Sequence, residues 1–343
     1  AGLPNTAVIV TVDAVDDDGD PLSYEASTPL HGTVTGGAGG QFTYTPDAGY
    51  LGADSFEVTV SDGNGGFAVQ TIDLTVVAQP PASGFRMFAA DGFVGSVGGS
   101  GQVFGTTALQ DITVADVSGT IAFDPSFNKG GDIIRLSGNA GDWQIMRSGS
   151  NALFTDGDTF VQVPLGSVGT AIVFDDGVRS LVFGTGGLRI GDQTFGTALE
   201  VITASEDGTV LPTGTDPAAG ARLFLAAGAG VSAGGRIDIF GTDASEPVSL
   251  LSGDITFDPS FNKGGDILSF GLPASDFLAS RIGSSVLLDS ATTDARIPLG
   301  TTGTTLVFPD GDERILLFDT TIPGATIAEQ IITATPTALM AMG

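Results

Sequence analysis

FDPSFNKGGDI, Phe123–Ile133, recurs without a change at Phe257–Ile267, and the two lysines of the chain, Lys129 and Lys263, occupy the same place in the two copies. Outward from this loop the likeness continues. Arg86–Thr107 aligns with Arg222–Asp243 at an offset of 136, and Val163–Gly177 aligns with Ile297–Gly311 at the loop's own offset of 134. One duplicated unit of ordinary domain size accounts for all three matches, and each copy is long enough to bury a core of its own. The 52 Gly and 17 Pro, set among Val, Ile, Phe and Thr, make this an all-β chain rich in turns. The expected organisation is an N-terminal sandwich over residues 1–79, a proline-stiffened linker over 80–85 and a β-rich, sandwich-like repeat domain over 86–205. A second linker over 206–220 leads to a homologous repeat domain with a C-terminal tail over 221–343.

Twelve basic against 40 acidic residues give a formal charge of -28, which repels nucleic acid and anionic membrane and favours divalent cations. Of the acids only seven are glutamate; short aspartates gather in turns, where they either cap the turn or converge on Ca²⁺. Cysteine is absent, which suits an exported product, and no apolar run has membrane-spanning length, so no membrane insertion is expected. The single histidine, His31, has no companions at ligand or triad spacing and reads as structural. With no nucleophile, phosphate-binding or zinc motif, an enzyme is not expected.

In the N-terminal module, alternation marks strands at Ala7–Asp13, Gln41–Thr45, Asp54–Ser61 and Phe67–Val77, enough for a small Greek-key sandwich. The first of these, near the start of the sequence, either pairs within its own module or is donated to a neighbour's sheet edge. Asp16, Asp18 and Asp20 alternate as early EF-hand ligands do, but Gly19 and Pro21 break that pattern and Ser27 stands where the bidentate Glu belongs. The runs DDDGDPLSYEASTPLHGTVT and QFTYTPDAGYLGADSFEVTVSDGNGG closely resemble the bacterial cadherin-like (tandem-95 type) Ig-fold repeats of large secreted adhesins and surface proteins. The resemblance covers residues 5–77. It implies an Ig-like sandwich and a calcium locus at Asp16, Asp18, Asp20 and Asp62.

The repeated loop offers a second set of oxygens: Asp124, Asn128 and Asp132 in the first copy, Asp258, Asn262 and Asp266 in the second. They either converge on Ca²⁺ or belong to a rigid double turn locked by pairing of Lys129 or Lys263 with a loop aspartate. Each lysine is equally a contact for an acidic neighbouring subunit. Through GGDIIRLSGNAGDW (Gly130–Trp143), TDGDT (Thr155–Thr159) and IVFDDG (Ile172–Gly177) the repeats resemble duplicated β-rich modules of large secreted bacterial calcium-binding and adhesin-type proteins. The second copy departs at Asp289-Ser290-Ala291.

These readings converge on a secreted or cell-surface structural protein, stabilised by Ca²⁺. Its expected partners are itself, as a homopolymer or lattice, or other surface proteins and glycans. The alternative is a set of non-catalytic carbohydrate-binding modules of a larger secreted enzyme; one Trp, three Tyr and 22 Phe that read as core leave few flat rings for a sugar platform.

Overall fold

The structure is a computed structural model. It describes residues 7–16, 19–47, 50, 52–76, 84–129, 131–263, 265–309, 311–321 and 324–340. Nearly all of its regular structure is strand. Among the described residues no helix is long and apolar enough to cross a membrane.

The N-terminal module is a sandwich of two three-stranded antiparallel sheets. β1 (Val8–Thr11), β3 (Gly32–Gly36) and β4 (Gln41–Pro46) form one, in the order β1-β4-β3; β2 (Ser23–Ala26), β5 (Gly52–Ser61) and β6 (Phe67–Val76) form the other, in the order β2-β5-β6. Alternation along β4 and β5 sends Phe42, Tyr44, Phe56, Val58 and Val60 into the space between the sheets. β1 pairs with β4 of its own module, Val10 opposite Phe42. The linker expected at 80–85 lies mostly outside the described residues; Phe85 already opens the next strand.

The first copy comprises β7 (Phe85–Ala89), β8 (Val94–Gly99), β9 (Gly101–Phe104), β10 (Asp111–Val114), β11 (Gly119–Phe123) and β12 (Ile133–Arg135). A hairpin of β13 (Gln144–Ser148) and β14 (Asn151–Thr155) follows, then β15 (Thr159–Pro164) and β16 (Thr170–Phe174). Odd and even strands of the first part run on different faces. β7, β9, β11 and β15 pair in parallel on one face, and β8, β10, β12 and β16 pair in parallel on the other. The chain therefore winds as a two-faced coil, each turn stacked on the last, with inward side chains of both faces filling the interior. Two facing sheets enclose the core, as expected for a sandwich-like unit, but successive turns are joined by stacking in place of Greek-key crossings. β17 (Gly177–Gly184), β18 (Gly187–Ile190) and β19 (Gln193–Phe195) extend the second face antiparallel. β20 (Glu200–Val201) extends the first face beside β13.

The second copy repeats the plan in β21 (Ala221–Leu225), β22 (Val231–Phe240), β23 (Pro247–Phe257), β24 (Ile267–Phe270), β25 (Leu278–Ile282), β26 (Ser285–Asp289), β27 (Thr293–Pro298) and β28 (Thr304–Val307). Here β22 and β23 each run through the corner and serve both faces, pairing with each other in parallel across a register shift between Ala233 and Gly235. The corner between β10 and β11 in the first copy is a detour through Ala115–Ser118; its shortening in the second is the change of offset from 136 to 134.

The two copies share one interior. β7 pairs antiparallel with β21, Met87 opposite Leu223, and β8 with β22, Val97 opposite Ala233. Each of these residues meets its own counterpart in the other copy, so the join is an internal two-fold axis of the kind that closes a symmetric dimer. A single apolar cluster runs through it, from Ile145 and Phe154 in one copy to Ala279 and Leu288 in the other. The segment 206–220 carries no strand, yet it is strapped down: Leu211 packs against the cluster of Leu109, Ile133 and Ala171, and the Asp216 amide donates to the Gly92 carbonyl.

The copies differ on their outer flanks. Met146 and Leu153, 0% and 1% exposed, belong to the core of the N-terminal module, which rests on β13 and β14 with Phe160 and Leu199 at the contact. The counterparts in the second copy are Ser280, Leu287 and, for Phe160, Asp294. Met146→Asp places an unpaired charge in this contact, a cost of several kcal/mol. The expected result is release of the N-terminal module, read as faster proteolysis between the modules while the melting transition of the coil stays in place. An unchanged proteolytic pattern contradicts the contact.

Candidate functional site

The repeated loop is a packing device first. After β11, the Asp124 carboxylate accepts from the Ser126 amide at 3.2 Å and from the Ser126 hydroxyl, and the Asp124 carbonyl accepts from the Phe127 amide at 3.0 Å. That turn drives Phe127 into the core against Phe123, ring centroids 4.6 Å apart. Gly105 leaves the space for this ring, since a Cβ there would stand 2.6 Å from it. Asp258, Ser260, Phe261, Phe257 and Gly241 repeat every part of the arrangement. Identity of the loops follows from the same ring filling the same hole.

The expected lysine lock is not what holds the turn. Lys263 Nζ lies 3.8 Å from Asp243, outside the loop, and both side chains are exposed, so the pair contributes little. Lys129 is exposed and forms no ion pair with a described residue; Thr107 stands where the second copy has Asp243. The aspartate-serine turn and the buried phenylalanine do the holding. Asp124 and Asp258 serve their own turns, whereas Asp132 and Asp266 enter the interior. Asn128 and Asn262 lie in short 3₁₀ turns, Phe127–Lys129 and Phe261–Lys263, and their side chains lie outside the described residues.

Inside the coil the structure assembles a polar row that the sequence reading had only half named. Gln110 and Asp132 precede β10 and the next coil's β12, Thr170 opens β16, and the ladder pairings put them at matching heights; Glu246, Asp266 and Thr304 do the same in the second copy. All six are buried. Asp132 Oδ1 accepts from the Gln110 amide at 2.8 Å, and Asp266 Oδ1 from the Glu246 amide at 3.0 Å. Asp132 Oδ2, Asp266 Oδ2 and Thr304 Oγ1 meet no hydrogen-bond partner. Burial pushes the Asp132 carboxyl up to about 7 against the pull of the Gln110 amide. Burial raises Asp266 too, and there the neighbouring Glu246 carboxyl adds to the effect. The only sequence signal for Gln110, Glu246 and Thr304 was their alignment between copies, because a polar residue next to a strand reads as a turn.

In the N-terminal module, the acidic loop and the SDGNGG turn lie side by side. The Asp20 amide donates to Asp16 Oδ1 at 2.9 Å, Asn64 Nδ2 donates to Asp20 Oδ2 at 2.7 Å, and Asp62 Oδ1 accepts from the Asn64 and Gly66 amides. Asn64, the bridge, was missed; Asp18 lies outside the described residues. Among the described residues no three acidic, histidine or cysteine side chains are grouped so that they could hold a metal ion. His31 stacks on Tyr50 at 4.1 Å, and its amide donates to Asp54, which also accepts from the buried Tyr44 hydroxyl.

Trp143 is buried and its indole donates to the Ser137 carbonyl, so it offers no platform. Not every Phe is core, however. Phe104, Phe88, Phe224 and Phe240 form an outer ladder across the two-fold join, with Arg86 over Phe88 and Phe104 and Arg222 over Phe224 and Phe240. Phe88 is 42% exposed.

Residues 2–75 match the bacterial Ig domain family, which makes the N-terminal module Ig-like. No curated protein matches the chain. A solved structure, the extracellular lipase LipA from Serratia marcescens, aligns at 12% identity over 59% of this chain and 38% of that one. Its TM-score of 0.18 supports no conclusion about fold or activity.

Proposed function

We propose that the chain is a segment of a secreted or cell-surface bacterial structural protein, of the self-assembling filament or S-layer kind or an adhesin, in which calcium adds stability and no catalysis takes place. The bacterial Ig domain at the N-terminus supports a surface or extracellular module. The observation that carries the structural reading is the fusion of the two copies across an internal two-fold axis into one core, with the Ig-like module resting on its flank. Residues spared between copies, Phe127 and Asp124 above all, go to packing, as suits a body whose task is shape. The cadherin-like type, with calcium at Asp16, Asp18, Asp20 and Asp62, belongs to the same proposal; partners would be further copies, surface proteins or glycans.

Negative-stain microscopy of the purified chain, in millimolar calcium and in chelator, tests the reading. Sheets or fibres that form with calcium support it; monodisperse particles under both conditions remove self-assembly. The outer Phe-Arg ladder favours one alternative, a carbohydrate-binding accessory module, because an exposed ring at Phe88 with half-buried rings and guanidinium groups beside it suits an acidic sugar chain. Retention on an acidic polysaccharide column that Phe88→Ala abolishes would select that alternative.

A further inference from the structure

The polar rows of the two copies differ in one residue, and the hydrogen bonds of its side chain differ with it. In the first copy Gln110 Nε2 donates to Thr106 Oγ1 at 2.7 Å. In the second copy Glu246 stands in its place and the hydroxyl of Thr242, counterpart of Thr106, points the other way and donates to Glu246 Oε1. The amides of Thr242 and Gly228 donate to Glu246 as well, at 3.2 and 3.4 Å. Three donors therefore converge on the one carboxyl. Next to it on the following coil stands Asp266, and next to that, on the coil after, Thr304; all three are 0% exposed.

Such a pair of buried acids needs a proton between them or a counter-charge, since an unpaired buried carboxylate costs several kcal/mol. None of the ion pairs among the described residues reaches Glu246 or Asp266. A proton on Asp266 would satisfy one oxygen and leave Thr304 Oγ1, which also lacks a partner, as it is. A cation among the three residues satisfies both orphaned oxygens and both carboxylates together, and a purely oxygen donor set is the chemistry of a hard cation.

We propose that Glu246, Asp266 and Thr304 form a buried calcium site in the second copy, and that the first copy, with Gln110 in place of Glu246, lacks it. The calcium so bound would tie three successive turns of the coil together. This deepens the calcium part of the function proposed above and is independent of whether the chain assembles, which microscopy reads separately.

Thermal melts of the full chain in chelator and across a calcium series test the site, with two variants. Glu246→Gln copies the residue that the first copy already accommodates, and Thr304→Val keeps the shape while removing the hydroxyl. The expected result is a calcium-dependent rise of the wild-type midpoint that Glu246→Gln weakens by at least about tenfold in calcium concentration and Thr304→Val weakens less. In chelator Glu246→Gln should melt above the wild type, because it removes a buried like charge. A wild type that ignores calcium overturns the proposal. A calcium response that survives Glu246→Gln unchanged also overturns it.

Discussion

Gly253→Val is expected to destabilise the coil by about 4 kcal/mol or more, enough to abolish its cooperative melt at physiological temperature. Gly253 sits where β23 turns the corner between the faces, at φ 143°, and it stacks directly on Gly235 of β22. A Cβ at this position would stand 2.2 Å from the Gly235 carbonyl oxygen and 2.4 Å from its nitrogen. Those are backbone atoms of a paired strand, so nothing can swing aside as a side-chain tip would. The first copy makes the same demand: a Cβ on Gly119 would stand 2.2 Å from the Gly99 carbonyl oxygen. The control is Gly283→Ala, in a hairpin turn at φ 62° with open space around it, where only the left-handed backbone penalty of about 1–2 kcal/mol applies. Chemical denaturation of both variants separates the effects. Equal losses would show that the corners tolerate side chains and that the coil is not held as closely as its pairing indicates.

These glycines also show where the sequence stopped being informative. The run Gly98-Gly99-Ser100-Gly101 ends β8 and begins β9 with only Ser100 between them, and its residue types do not tell whether such a corner reverses a hairpin or bends a coil. Alternation at Met87, Val103 and Ile121 is the same whether neighbours run parallel or antiparallel, so the all-β class and the duplication were legible while the coil was not. The two-fold join was hidden for a related reason. Met87 and Leu223 look like ordinary inward residues, and only pairing reveals that they meet each other. The Ig-like module was legible because its strands and turns come in a specific order over a short span. The repeated loop is legible as a repeat but its role is not: Lys129 and Lys263 are the only lysines, whereas Phe127 and Phe261 do the packing. Asp132 and Asp266 were named as oxygen donors on chemistry alone, and their partners Gln110, Glu246 and Thr304 come from other coils, at sequence distances that no local pattern spans.

The buried acids set the second large expectation: in chelator, the chain should lose stability as pH rises from about 4 to about 7. Folding lifts the Asp132 carboxyl from 3.8 to about 7, so between those values the folded state holds a proton that the unfolded chain has released. Stability then falls with rising pH, and the full loss is reached above the folded value. A lift of about three pH units corresponds to about 4 kcal/mol as an upper figure. Asp266 shifts in the same direction, through burial and its Glu246 neighbour, and adds to the slope. Asp176 and Asp207 oppose it: at both, burial is outweighed, by the Arg179 hydrogen bond and by bonds from Thr209 and Ser180, and their values fall. Their contribution is lost only as pH drops below about 4, the ordinary carboxylate range, so the windows do not overlap. Asp132→Asn supplies the control, because an amide keeps the oxygen that accepts from Gln110 and cannot ionise. Urea titrations across the pH range should give a flatter profile for Asp132→Asn than for the wild type, and a flatter one still when Asp266→Asn is added. If all three profiles coincide, the carboxyls stay ionised in the core and some counter-charge other than a proton accompanies Asp132 as well.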